Sequence, residues 1–394
     1  MEKGDFAIAT MPMGRSRSKE SMYYQTLHNK KLVEGAISRT PDDAYDFVAS
    51  SPLLSHMARG RPPDPTQVPL LDQMTYLANH DFRYVILHKT HMSVEQIARW
   101  RAYLALPPAY EDDLLIAYET HIDTTDFSPI GQGLSVLAAS PLPETAVQAD
   151  LLAVDLAWLA RGSPQCDQQV TLALVNDADR IVLKRTSPLS ADHAASSLKP
   201  GVILHEEYLF HLDPFLPPGN YHLYLSLSSL QSDTRRAPRA GVDLVKVHVT
   251  SLPRVFEASP SRSFGGIFGD EVRLLGYDLN QAEERVTLKL YWQAMRRMDE
   301  SYKVFVHVFD PRTGAILAQD DAVPRRWTYP MTWWEEGEVV SDKIVLSLEE
   351  LPEGTYRLAV GIYLQESGER LWVADDAGER QPNGRLVLPE EIER

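Results

Sequence analysis

A single cysteine, Cys166, stands in a chain of 394 residues. That excludes an intramolecular disulfide and a thiolate metal cluster, and a lone cysteine is more often small apolar filler than a nucleophile. Long apolar runs are missing too. No stretch reaches the ~18–20 residues that cross a bilayer as a helix, and the opening MEKGDFAIATMPMG carries no apolar h-region of a signal peptide. Basic charge is in short supply: 39 Lys and Arg face 55 Asp and Glu, a net charge of −16. A nucleic-acid partner is therefore not expected, because phosphate binding needs clustered cations. The deficit concentrates from Ser251 onward, where 17 Lys and Arg meet 26 Asp and Glu; solubility is its simplest meaning.

Catalytic signatures are equally scarce. His88 and His91 sit three apart with no third ligand at metal spacing, and they read as a solvated loop at the end of a strand. GQGLS (131–135) lacks the Gly-x-Ser-x-Gly order of a nucleophile elbow. FGGIFGDE lacks the strand-to-helix context in which glycines cradle phosphate, and reads as the lead into the first strand of the last domain. The acidic pairs Asp112-Asp113, Asp320-Asp321 and Asp375-Asp376 are not spaced as a calcium loop. No metal or cofactor is expected, and no catalytic residue can be named.

What is present is a change of pattern along the chain. In residues 1–122, FAIAT, MYYQT and FRYVILH suit strands. SVEQIARWRAYLAL suits a helix, opened by a Ser93/Gln96 capping box and stopped by Pro107-Pro108. DDLLIAYE resumes as a strand, and further helices are expected near 42–58 and 68–79. Residues 123–147, rich in Ser, Thr, Gly and Pro, read as a linker. Beyond them the grammar is β: QQVTLALVN, VILHEEYLFHL, NYHLYLSL and VDLVKVHVT alternate or run apolar for strand lengths. In YHLYLSL the period of two puts Tyr221, Leu223, Leu225 and Leu227 on one face.

The β grammar occurs twice. GVILHEEYLFHLDPFLPPGNYHLYLSL (201–227) aligns with GEVVSDKIVLSLEELPEGTYRLAVGI (337–362), each a strand leading through Leu-Pro to a Gly turn, then Tyr221 or Tyr356 opening the next strand. VTLALVNDADRIVL likewise aligns with VFVHVFDPRTGAIL. The expected fold is α+β and multidomain: an N-terminal α/β domain (1–122), a linker (123–147) and two tandem immunoglobulin-like antiparallel β-sandwiches (148–253 and 268–394) joined by a second linker (254–267).

Two clusters are candidate sites. RRWTYPMTWWEEGE holds Trp327, Tyr329, Trp333 and Trp334, whose faces suit stacking on sugar rings, though such rings also plug the ends of sandwich cores. SMYYQTLHNKKLVEGAISR holds Tyr24, Gln25, His28, Lys30, Lys31 and Arg39, with donors suited to a phosphosugar; the simpler reading is a strand and its turn.

MYYQTLHNKKLVEGAISR resembles a Tyr-Tyr-Gln-Thr-x-His-x-Lys signature of bacterial polytopic membrane glycosyltransferases of the dolichyl-phosphate-mannose mannosyltransferase and aminoarabinose-transferase type. GDFAIATMPMG, YVILHK and YEDDLLIAYE resemble neighbouring parts of that region. YPMTWWEEGEVVSDKIVLSLEELPEGTYRLAVGIYLQESGERL is similar to their terminal β-sandwich, with Trp334, Gly337, Glu338, Asp342, Gly354, Tyr356 and Gly361 on recurring positions. The resemblance covers about half of the chain. It implies an extracytoplasmic, non-catalytic region that assists recognition of a lipid-linked sugar or acceptor beside the membrane half of such an enzyme, whose catalytic acid has no counterpart here. The alternative is a freestanding cell-surface carbohydrate-binding or adhesion protein.

Overall fold

The computed structural model describes residues 4–13, 15–33, 42–228, 241–282 and 284–394. Those residues are mostly β, in five sheets with five α-helices. The chain divides into two compact units, 1–251 and 252–394.

The first unit opens with β1 (Ala7–Met11), α1 (Arg15–His28) and β2 (Lys31–Leu32). Three helices follow, α2 (Asp42–Ser50), α3 (Pro52–Arg59) and α4 (Leu70–Asn79), then β3 (Phe82–His88), α5 (Val94–Leu104), β4 (Tyr110–Glu111) and β5 (Leu115–Glu119). The strands form one sheet in the order β2-β1-β3-β5-β4, with β1 parallel to both neighbours. MYYQT lies within α1 and not in a strand. Parallel pairing of β1 with β2 explains this, because the chain must return across the sheet, and a helix is the usual crossover. Asn29, left-handed at φ 54°, ends the helix by donating its N–H to the Gln25 carbonyl at 2.7 Å. Ser51 caps α3 and Pro52 fills its first turn, while the Ser93/Gln96 box opens α5 with both reciprocal bonds formed.

Period-two alternation gives this sheet two different faces. Ala7, Ala9, Met11, Val85, Leu87, Ile116 and Tyr118 pack on apolar side chains of α3, α4 and α5. Ile8, Thr10, Ile86, His88 and Leu115 point the other way, toward α1.

Residues 123–147, expected as a linker, carry β6 (Ser128–Gly131), β7 (Leu134–Ala138) and β8 (Thr145–Val147). β9 (Leu151–Ala160), β10 (Gln169–Asn176), β11 (Ile181–Pro188), β12 (Ile203–His211), β13 (Gly219–Ser228) and β14 (Val242–Thr250) complete two sheets, β12-β9-β7-β6 and β11-β10-β13-β14-β8. One apolar core fills the space between them, with Tyr221, Leu223 and Leu225 in it and Leu227 packed against it. The end of β9, AWLA, is apolar on both faces for a reason: Trp158 and Ala160 face the sandwich core, whereas Ala157 and Leu159 join the helical layer with Ile203. Burying Leu159 and Ile203 there contributes roughly 1.5–3 kcal/mol each. The α/β sheet and its helices thus meet the first sandwich across β9 and β12, and together they form one compact unit.

The second unit contains β15 (Gly266–Phe268), β16 (Val272–Ala282), β17 (Arg285–Ala294), β18 (Tyr302–Phe309), β19 (Ile316–Ala322), β20 (Val339–Ser347), β21 (Thr355–Leu364), β22 (Val373–Asp375), β23 (Arg380–Gln381) and β24 (Arg385–Glu393). Its sheets run β20-β17-β16-β15-β22-β23 and β19-β18-β21-β24 around a second apolar core. Four strands of each sheet run in comparable order, β12-β9-β7-β6 beside β20-β17-β16-β15 and β11-β10-β13-β14 beside β19-β18-β21-β24, while β8, β22 and β23 have no counterpart. Tyr221 donates its hydroxyl to the Pro217 carbonyl at 2.5 Å, and Tyr356 donates to the Pro352 carbonyl at 2.7 Å. Trp158 and Trp292 each stand third from the end of β9 and β17, fully buried. Residues 254–267, expected as a second linker, are held to the second unit: Arg254 is buried against Glu338, and Arg262 pairs with Tyr277 through backbone bonds in both directions.

Candidate ligand cavity beneath the first helix

Between the last two turns of α1 and the sheet lies a cavity of about 310 Å³. Its floor is apolar, made by Ile8, Ile86, Leu32, Leu114 and Leu115; Thr10, Tyr24, His28, His88, Thr90 and His91 supply its polar wall. That size and lining fit the lower end of small-molecule sites, which are mostly apolar with a few placed polar groups. Tyr24 and His28 are four apart and so share one helix face. The Tyr24 ring lies parallel to that of His88, 13° between planes with centroids 6.3 Å apart. The His88 and His91 ring centres are 6.4 Å apart across the turn. Lys89, at the head of this turn, bonds the Glu111 carboxylate at 2.5 Å and the Asp112 carbonyl at 2.6 Å, which anchors the segment that presents His88 and His91.

His28 has a defined tautomer. The Lys30 backbone N–H donates to its Nδ1 at 2.9 Å, so in the neutral ring Nε2 carries the proton. Burial and then the Lys30 charge hold its pKa below the ordinary histidine value, favouring this neutral donor form. Although three histidines line the cavity, no group of three His, Cys, Asp or Glu among the described residues is placed to hold a metal ion.

The polar residues expected to converge here divide. Tyr24 and His28 reach the cavity. Gln25 Nε2 instead donates to the Lys30 carbonyl at 2.9 Å. Lys30 is 9% exposed, bonds the Gly4 carbonyl at 2.7 Å and lies 3.9 Å over the Phe6 ring, so its ammonium ties the N-terminal segment down. Lys31 pairs at the surface with Asp5. Arg39 lies outside the described residues. His88 and His91, read from sequence as a solvated loop, belong to the wall together with Thr10 and Thr90. The available signal was alternation along β3, which puts His88 on the same face as Ile86.

The aromatic loop of the second unit divides similarly. Tyr329 and Trp334 belong to the core, Tyr329 donating to Glu338 Oε1 at 2.7 Å and Trp334 Nε1 to the Tyr329 carbonyl at 3.3 Å. Trp333 is half-buried with its ring edge-on to Tyr329. Trp327 alone presents its ring outward, 55% exposed with Lys303 4.6 Å from its centre. The core thus takes up Tyr329 and Trp334, Trp333 packs against it, and of these four rings Trp327 alone is left for stacking.

No helix of the described residues is long and apolar enough to cross a membrane. No protein-family model matches the chain, and no curated protein matches it.

Proposed function

We propose that the chain is a non-catalytic, extracytoplasmic region of a membrane glycosyltransferase, and that the cavity beneath α1 receives part of a lipid-linked sugar or its acceptor. The carrying observation is that the stretch resembling those enzymes supplies Tyr24 and His28 to the cavity wall. The lining refines the ligand chemistry. With Lys30 and Lys31 bound elsewhere, the wall offers hydroxyls and imidazoles around an apolar floor. Such a site suits an apolar chain or the less polar face of a sugar better than a phosphate. Under the same reading the two β parts are copies of one immunoglobulin-like sandwich; their matching strand orders and the shared tyrosine bond, a feature of such sandwiches, support it.

Isothermal titration of the chain with a short-chain polyprenyl-phosphate sugar tests the proposal. Tyr24→Ala and His28→Ala together should weaken binding more than tenfold while leaving the melting temperature within a few degrees. Equal affinity in wild type and the double variant, or no binding at millimolar ligand, would refute it. A loss confined to Trp327→Ala would favour the freestanding carbohydrate-binding alternative, for which Trp327 is the supporting observation.

A further inference from the structure

On β18, Val304, Val306 and Val308 point into the core, so Lys303, Phe305, His307 and Phe309 face away from it. An outward face of this kind is ordinarily wet, yet Phe305, His307 and Phe309 are 2%, 5% and 6% exposed. Small neighbours let the rings lie close to the sheet: Ala359 stands opposite His307 and Gly361 opposite Phe305. A Cβ on Gly361 would come within 2.0 Å of the Phe305 ring. Two guanidiniums then roof the layer. Arg370 lies 4.5 Å from the centre of the Phe305 ring and Arg385 4.6 Å from that of Phe309, with His307 between these rings along the strand and stacked on Phe305 at 4.5 Å.

The charges around this layer do not balance. Lys303 is matched by Asp321 at 3.9 Å, and Asp321 also accepts from the Tyr363 hydroxyl. Arg357 donates to the carbonyls of Leu388 and Pro389, and Glu391 stands opposite it in the ladder. Arg370 donates to the Asn383 carbonyl. Among the described residues, neither Arg370 nor Arg385 has an ion pair, although from Ser251 onward 26 acidic residues outnumber 17 basic ones. The buried His307 Nδ1 has no hydrogen-bond partner among them either. Aromatic support holds guanidinium planes in place, and two held planes suit an oxyanion.

We propose that Arg370 and Arg385, held over the Phe305 and Phe309 rings on the strand that carries His307, form a binding site for an anionic group, a carboxylate or a tetrahedral oxyanion such as phosphate or sulfate. The site lies in the second unit and is independent of the cavity beneath α1. It has a built-in reporter. Burial, followed by Arg370 and Arg385 and opposed by Asp321, lowers the His307 pKa to about 4. An anion bound at these guanidiniums offsets their charge and must raise that value.

The experiment follows the His307 imidazole by NMR from pH 7 to 3.5 in the full chain, its resonance identified by its absence in His307→Gln. Sulfate and glucuronate are the probes. Sulfate keeps its charge across this range, and glucuronate titrates near its lower end. With 20 mM sulfate the midpoint should rise from about 4 to above 5, and Arg370→Gln/Arg385→Gln should abolish the change. A rise with sulfate alone assigns a tetrahedral oxyanion, whereas a rise with glucuronate alone assigns a carboxylate. An unchanged midpoint with both probes overturns the proposal, as does an equal rise in the double variant. Should that variant unfold, Arg385→Lys decides: it keeps the charge but loses the planar fork, so the sulfate effect should fall by at least half, and a full effect counts against the site.

Discussion

Replacing Arg254 with Met should cost the second unit about 3–5 kcal/mol, the usual penalty for stranding the partner of a buried pair. The Arg254 and Glu338 side chains are 7% and 1% exposed. Glu338 Oε2 accepts from Arg254 Nη1 at 2.5 Å and from the Glu335 N–H at 2.9 Å, while its Oε1 takes the Tyr329 hydroxyl at 2.7 Å. Without the guanidinium the carboxylate keeps two neutral donors and loses its counter-charge. The Trp333 carbonyl also loses a donor now at 2.7 Å. Adding Glu338→Leu removes the stranded charge but leaves the buried Tyr329 hydroxyl without this acceptor, a cost of about 1–3 kcal/mol. The double variant should therefore be more stable than Arg254→Met alone. Urea unfolding of the full chain, read at the transition that Arg254→Met displaces, measures both. A loss below about 1 kcal/mol in Arg254→Met, or a double variant as unstable as the two single losses added, would refute this account of the pair.

Tyr221→Phe and Tyr356→Phe should each cost about 0.5–1.5 kcal/mol by loss of one hydrogen bond to a proline carbonyl. The first should displace only the transition of the first unit and the second only that of the other, as limited proteolysis of each unit can distinguish. Gly361→Ala should cost about 1–3 kcal/mol through overpacking against Phe305 and the Gly384 carbonyl; differential scanning calorimetry would show it, and Phe305→Leu in the same chain should restore part of the loss.

Local rules recovered much of the fold. The capping box at Ser93, the strand at Phe82 and the inward row from Tyr221 to Leu227 were legible because each depends on near neighbours or on a period of two. MYYQT reads as a strand by composition, while the parallel pairing of β1 with β2, a tertiary fact, calls for a crossover, here α1. Residues 123–147 carry loop-like composition yet supply sheet edges, and the shared helical layer depends on which half of β9 is covered twice. For the site, Tyr24 and His28 could be named from their stretch, but Lys30 could not be excluded: only the fold brings Gly4 and Phe6 beneath its ammonium. His88 reads as part of a solvated loop because its partners in the cavity include a helix more than fifty residues upstream.

The double covering of β9 also bears on the order in which the chain can mature during synthesis. Helix α5 ends at Leu104, but the surface that closes its layer includes Ile203 on β12. Nearly a hundred residues separate the two, which at ~5–20 residues per second is roughly 5–20 s of translation. Throughout that interval Leu53, Met74 and Trp100 belong to a layer whose second wall has not yet been made. The first unit is thus bound to a late, long-range closure, and a ribosome that stalls before β12 would release a chain with an apolar helical face uncovered.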